Sequence, residues 1–132
     1  RTPVVSGVLG EGGSGGALGI GVADRCAMMQ YAWYSVISPE GCAAILRKSA
    51  TPEHNQAAAE ALKLTAEDNL NLGVIDDVIE EPLGGAHRQP EAASEAVGSY
   101  LAQRLRELKR FKIENLVQKR YERLRKIGAV EG

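Results

Sequence analysis

The chain has 132 residues, of which 25% are charged and 44% hydrophobic, and a formal net charge of −1. That is one domain's worth of ordinary globular composition, and the absence of any run of about 18 apolar residues excludes a membrane-spanning helix. Cys26 and Cys42 are too few to staple a domain of this size and fit no zinc spacing, so they read as buried apolar thiols in a reducing compartment.

The chain opens without Met, as Arg1-Thr2-Pro3 directly before a strand, which reads as a cut through a longer polypeptide. No basic-then-apolar signal pattern is present at this end. Pro3 to Leu9 is the first expected strand, with Pro3 at its edge. Five of the next seven residues, Gly10 to Gly16, are glycine and form a loop. Glycine at this density costs backbone entropy, so it marks a close approach or a positive φ. Ser14 then caps a helix that begins at Gly15 and ends at Asp24-Arg25, with Gly19 and Gly21 allowing close packing.

Cys26 to Tyr31 and Tyr34 to Ile37 read as two short strands. Ser38-Pro39-Glu40 is a cap, a proline at the first helical position and an acid in the first turn, so a helix runs from there to about Lys48. Thr51-Pro52-Glu53 starts a second helix to Leu64. Thr65 to Leu72 forms a third, stopped by Gly73. Val74 to Ile79 is a strand and Pro82 to Pro90 a loop.

Beyond Pro90 the pattern is helical. Val97, Leu101, Leu105 and Leu108 share one face; Ile113, Val117, Tyr121 and Leu124 share another, with a junction near Phe111-Lys112. From Arg104 to Lys126 there are ten Lys/Arg against three Glu. The rest of the chain is acidic. A basic end on an acidic body implies a solvated face, a partner or an intramolecular clamp. No recognition motif supports nucleic-acid binding.

The glycine segment matches several motifs. Gly10-x-Gly12-x-x-Gly15 fits the dinucleotide fingerprint, but Gln30 and Tyr31 stand where a ribose-binding acid is needed. Gly12-Gly13-Ser14-Gly15-Gly16 fits the nucleophile elbow, and Asp76 or Asp77 and His87 follow in triad order, yet nothing orients His87. No Lys-Ser/Thr follows, so a phosphate P-loop is out. His54 and His87 have no partners at metal-ligand spacing, so no metal is expected. What remains is an oxyanion hole made by the N–H groups of Gly15 and Gly16 at a first helical turn, with tight packing as the bland alternative. Tyr31, Trp33 and Tyr34 are either ligand contacts or core.

Three blocks then point to a family. Val4 to Leu18 (Val-Val-Ser-Gly-Val-Leu-Gly-Glu-Gly-Gly-Ser-Gly-Gly-Ala-Leu), Tyr34 to Leu46 and Ile79 to Arg88 closely resemble the carboxyltransferase subunit alpha of bacterial and plastid acetyl-CoA carboxylase. The resemblance covers nearly the whole chain but only the C-terminal part of the family's length. It implies an α/β crotonase-like (ClpP/crotonase) fold, a partial spiral of ββα units followed by C-terminal helices. Residues 1–89 would be the C-terminal part of the core and 90–132 a helical extension.

The resemblance also implies a function. The family transfers a carboxyl group from carboxybiotin on the biotin carboxyl carrier protein to acetyl-CoA, giving malonyl-CoA for fatty acid biosynthesis. Loss of the carboxyl group leaves charge on the ureido oxygen, and the biotin anion takes a proton from the acetyl methyl group. Gly15 and Gly16 would supply the oxyanion amides, and Gly12, Gly13 and Ser14 would shape the biotin side. The implied partners are the carboxyltransferase subunit beta, which joins an α2β2 assembly and supplies most of the acetyl-CoA site, the carrier protein, and a biotin carboxylase that uses ATP away from this chain. The implied compartment is the cytoplasm or plastid stroma. The alternative is a non-catalytic crotonase-like fragment that serves subunit assembly.

Overall fold

A computed structural model describes residues 1–129. In chain order the elements are β1 (Val5–Val8), β2 (Glu11–Gly13), α1 (Ser14–Gly21), β3 (Arg25–Met29), β4 (Trp33–Ser35), α2 (Pro39–Arg47), α3 (Pro52–Leu62), α4 (Ala66–Asn71) and β5 (Asp77–Ile79). A single 3-10 turn at Ala86–Arg88 precedes α5 (Pro90–Leu108) and α6 (Ile113–Lys126).

The strands form two parallel sheets, one ordered β1-β3-β5 and one pairing β2 with β4. Val5 lies opposite Arg25, Ala27 opposite Asp77 and Gly12 opposite Tyr34. Two ββα units therefore stand side by side, each giving its first strand to the larger sheet and its second to the smaller. The third strand of the larger sheet begins the next turn of the spiral.

The starts of α2, α3 and α4 are as the capping signals predict. The Ser38 hydroxyl accepts from the Gly41 N–H at 3.1 Å, and Thr51 and Thr65 do the same for His54 and Asp68. Gly73, at φ +68, stops α4 in a conformation that only glycine adopts without strain. The core gathers around β3, where Cys26, Ala27 and Met28 are fully buried. Burial on both faces explains why this strand reads as a continuous apolar run. Ala93 of α5 is buried in this core, with Val97 and Tyr100 packed against it.

Four expectations need correction. Glu11 to Gly13 is a strand rather than loop, because pairing with β4 overrides glycine's weak strand preference. Ser14 does not cap α1. Gly13 holds the extended cap conformation (φ −134, ψ 160), and Ser14 is the first helical residue, at φ 54. Gly19 meets nothing within 4 Å, so of the two packing glycines only Gly21 faces a neighbour, the Tyr34 hydroxyl. On α6 the buried residue is Leu116, whereas Val117 and Tyr121 are exposed. The inward face of α6 is completed by Arg120 and Arg123, which a hydrophobic period assigns to solvent.

Those two arginines and Arg104 make the basic end an intramolecular clamp. Arg120 donates from Nε and Nη2 to Asp24 at 2.9 and 2.6 Å. Arg123 Nε reaches Asp76 at 2.9 Å, and Arg104 Nη2 reaches Asp77 at 2.8 Å. All three aspartates stand at or just before the N-terminal ends of β3 and β5. The helical end thus docks on the acidic rim of the larger sheet.

Candidate active site

The glycine segment is built in two layers. Gly12 is buried, and a Cβ there would stand 2.6 Å from Tyr34 Cδ2 and 3.2 Å from Val8 Cγ1. Its lack of a side chain lets the Tyr34 ring lie on the β2 backbone. Gly13 faces the Trp33 ring at ordinary contact distance. The Trp33 N–H donates to the Gly10 carbonyl at 3.0 Å and ties the approach to β4.

Above this floor, Ser14, Gly15 and Gly16 are exposed at the head of α1. The first four N–H groups of a helix, here Gly13 to Gly16, have no partner within it and carry its partial positive charge. No carboxylate stands in the first turn to neutralise them, and no side chain caps them. A Cβ at Gly15 or Gly16 would meet nothing within 4 Å, so a methyl group could stand at either position without a clash. Ser14 holds a left-handed φ that costs a non-glycine residue about 1–3 kcal/mol, and such strain gathers at functional sites.

Ser14 and Gly15 line a cleft of about 460 Å³, within the usual size of a small-molecule site. Its other walls are mainly apolar: Ala17, Leu18, Val36, Leu62, Leu72 and Val74, with Lys63 and Asn69 among them. Leu18, Val36 and Leu72 are largely exposed there. Gly16 is exposed and does not line the cleft.

Tyr34 links the layers. Its hydroxyl donates to the Ala17 carbonyl of α1 and burial pushes its ionisation above the ordinary range. Its own carbonyl accepts from Asn69 Nδ2 at 3.3 Å, and its N–H donates to the Leu64 carbonyl at 3.1 Å. Asn69 is 4% exposed and also reaches the carbonyls of Lys63, Leu64 and Thr65, so it sets the turn that carries Lys63. Sequence reasoning did not single out Asn69. A polar residue on the buried side of a short helix is the signal that could have found it.

The competing motifs are not assembled. Asp76 is held by Arg123, Arg25 and the Cys26 N–H. Asp77 is held by Arg104 and the Tyr100 hydroxyl. His87 lines a different cleft with Leu9, Met29 and Val97, so no triad forms around Ser14. Gln30, where a nucleotide site needs an acid, accepts from the Glu81 N–H. His54 Nδ1 pairs with the Ser49 hydroxyl. Among the described residues no helix is long and apolar enough to cross a membrane.

Residues 1–128 match the family described as acetyl co-enzyme A carboxylase carboxyltransferase-like. The acetyl-coenzyme A carboxylase carboxyl transferase subunit alpha of Rhodopirellula baltica is 55% identical over 97% of this chain and 40% of its own length. The protein of the same name from Marinobacter nauticus is 57% identical over 94% of this chain and 38% of its own. That from Campylobacter hominis is 51% identical over 99% and 41%. The chain spans about two fifths of the length of these relatives. Among solved structures, transcarboxylase 12S with hydrolysed methylmalonyl-coenzyme A bound superposes on 76% of this chain and 20% of its own, with a TM-score of 0.51 and 23% identity. That likeness concerns the fold, and agrees with the crotonase-like arrangement of two ββα units.

Proposed function

The chain belongs to the acetyl co-enzyme A carboxylase carboxyltransferase-like family, and on that premise we propose that it is the part of an alpha subunit that carries the biotin-side oxyanion hole. The reaction is transfer of the carboxyl group from carboxybiotin, held on its carrier protein, to acetyl-CoA, giving malonyl-CoA for fatty acid biosynthesis. One observation supports this reading above others: the head of α1, with no side-chain cap and no carboxylate in its first turn, borders a mainly apolar cleft lined by Ser14 and Gly15.

The residues present fit the group. A neutral bicyclic ring suits apolar walls, and its ureido oxygen suits two N–H donors. Carboxybiotin supplies the carboxyl group. This chain's residues hold and orient it. Gly15 and Gly16 would hold the ureido oxygen through their N–H groups, which favour negative charge at that atom. Gly12, Gly13 and Ser14 set the position of that turn. The apolar walls offer the ring a surface to lie on; removal of one such donor costs about 10²–10³ in rate.

In this reading a beta subunit supplies the acetyl-CoA side in an α2β2 assembly. A biotin carboxylase recharges the carrier with ATP elsewhere in the complex, which works in the cytoplasm or plastid stroma. Residues 1–89 would be the C-terminal part of the core and residues 90–132 its extension, of which the described helices α5 and α6 brace the sheet rim. A second reading, a piece serving assembly alone, draws on the chain's spanning about two fifths of its relatives. Mixing this chain, and separately the full-length subunit, with beta subunit and biotinylated carrier distinguishes the two by malonyl-CoA decarboxylation. Activity that needs the full-length form and is lost on altering Gly15 or Gly16 supports the oxyanion reading. Activity insensitive to those residues leaves the segment with assembly alone.

A further inference from the structure

Helix α1 is weakly anchored for an element whose end must be held in register. Its sequence, Ser-Gly-Gly-Ala-Leu-Gly-Ile-Gly, buries Ala17 alone, with Ile20 partly packed on the core. Glycine at half its positions leaves little apolar surface to fix its direction. Three side chains instead grip its carbonyls. The Tyr34 hydroxyl donates to Ala17, the Ser6 hydroxyl to Ile20 at 2.7 Å, and Arg123 Nη1 to Gly21 at 3.3 Å.

Arg123 differs from the other two in what else it holds. Its Nε donates to both carboxylate oxygens of Asp76, at 3.1 and 2.9 Å, and its Nη2 to the Val74 carbonyl at 3.1 Å. The side chain is 12% exposed. One planar guanidinium therefore ties the tail of α1, the turn after α4 and the lead-in to β5. Leu72 and Val74 of that turn are walls of the cleft. Gly21 is the last residue of α1, where unpaired carbonyls carry partial negative charge and a cation is favoured. Only a fork of fixed geometry can make these contacts together.

We propose that Arg123 is a positioning residue: from α6 it sets the tilt of α1 and its distance from the Leu72–Val74 wall, and so aims the Gly15 and Gly16 amides. This rests on the oxyanion reading above. An eight-residue helix is about 12 Å long, so a shift at its tail is carried to its head. A misplacement of about 1 Å at a reacting centre can cost about 100-fold. The proposal gives the basic C-terminal helix a task in the site that its sequence, read as a solvated charge run, does not suggest.

The test is a double-mutant cycle in the full-length subunit assembled with beta subunit, read as carboxyl transfer between malonyl-CoA and free biotin. The variants are Arg123→Met, Gly16→Pro, which deletes one amide hydrogen, and both together. Arg123→Met should lower kcat by about 10- to 100-fold, with KM for malonyl-CoA within about twofold, because the acyl-CoA side is not this chain's. In the Gly16→Pro background the same change should cost less than about threefold, since the amides it aims are already impaired. Additive losses would overturn the role of Arg123 while leaving the oxyanion reading intact. A Gly16→Pro enzyme of normal rate would overturn the oxyanion reading itself, and the proposal with it. Should Arg123→Met not fold, Arg123→Lys serves in the same cycle: it keeps the charge but not the fork, and must also lose kcat without KM. Full activity of the lysine variant contradicts the proposal.

Discussion

The clamp at the sheet rim makes a sharp stability prediction at Asp24. Its side chain is 3% exposed and accepts three hydrogen bonds, two from Arg120 and one from the Val4 N–H at 2.7 Å. Asp24→Ala leaves the guanidinium without its counter-charge and the Val4 N–H, just before β1, without its acceptor. Breaking one side of a buried pair costs about 3–5 kcal/mol. Arg120 is 19% exposed, so water partly replaces the carboxylate and the lower end applies. Arg120 also keeps its bond to the Thr2 carbonyl. We expect a loss of about 3 kcal/mol, which in the full-length subunit, about two and a half times as long as this chain, lowers the melting temperature by roughly 5 °C. Thermal melts followed by circular dichroism in the full-length subunit measure it. Adding Arg120→Met to Asp24→Ala should recover part of the loss, because the unpaired charge then disappears. A single variant within about 0.5 kcal/mol of the parent, the range of ordinary surface changes, would refute the reasoning. So would a double variant no more stable than the single.

Two further outcomes follow from packing and burial. Gly12→Ala drives a Cβ to 2.6 Å from the Tyr34 ring, so the ring must move; we expect a loss of about 1–3 kcal/mol in denaturant unfolding, against little for Gly15→Ala, whose Cβ meets nothing. Tyr100 is raised well above the ordinary phenol range by burial and then by donating to Asp77, and burial raises Tyr34 too. Both phenols keep their protons in the folded state while those of the unfolded chain ionise, with a midpoint at about pH 10. Their contribution is whole below that pH and fades as pH rises through it, so stability falls above about pH 10. A spectrophotometric titration should show two tyrosines ionising late, and together with unfolding.

Much of this fold was legible because its signals are local. Ser38-Pro39, Thr51-Pro52 and Thr65 place three helix starts through contacts spanning three residues. The glycine segment was legible as a place of close approach, but not in its layers. Gly12 is small for the sake of Tyr34, which is 22 residues away in sequence and opposite it across the β2–β4 pairing. Ser14 reads as a cap by type, yet the extended residue that a cap requires is Gly13. The face of α6 was misplaced because its inward positions are arginines, whose partners Asp24 and Asp76 lie 96 and 47 residues away. A hydrophobic period cannot see a face that is held by charge. The excess of cations there left a clamp open beside a solvated face and a partner, without the residues it closes on.

The comparison that bears most directly on the oxyanion hole is Gly16→Ala against Gly16→Pro in the assembled carboxyltransferase. Alanine adds a methyl group where nothing stands within 4 Å and keeps the N–H. Proline removes that hydrogen from a first turn that does not use it for its own bonding. Transfer between malonyl-CoA and biotin should persist in the alanine enzyme and fall by about 10²–10³ in the proline enzyme, with both folded. Equal rates in the two would contradict the account.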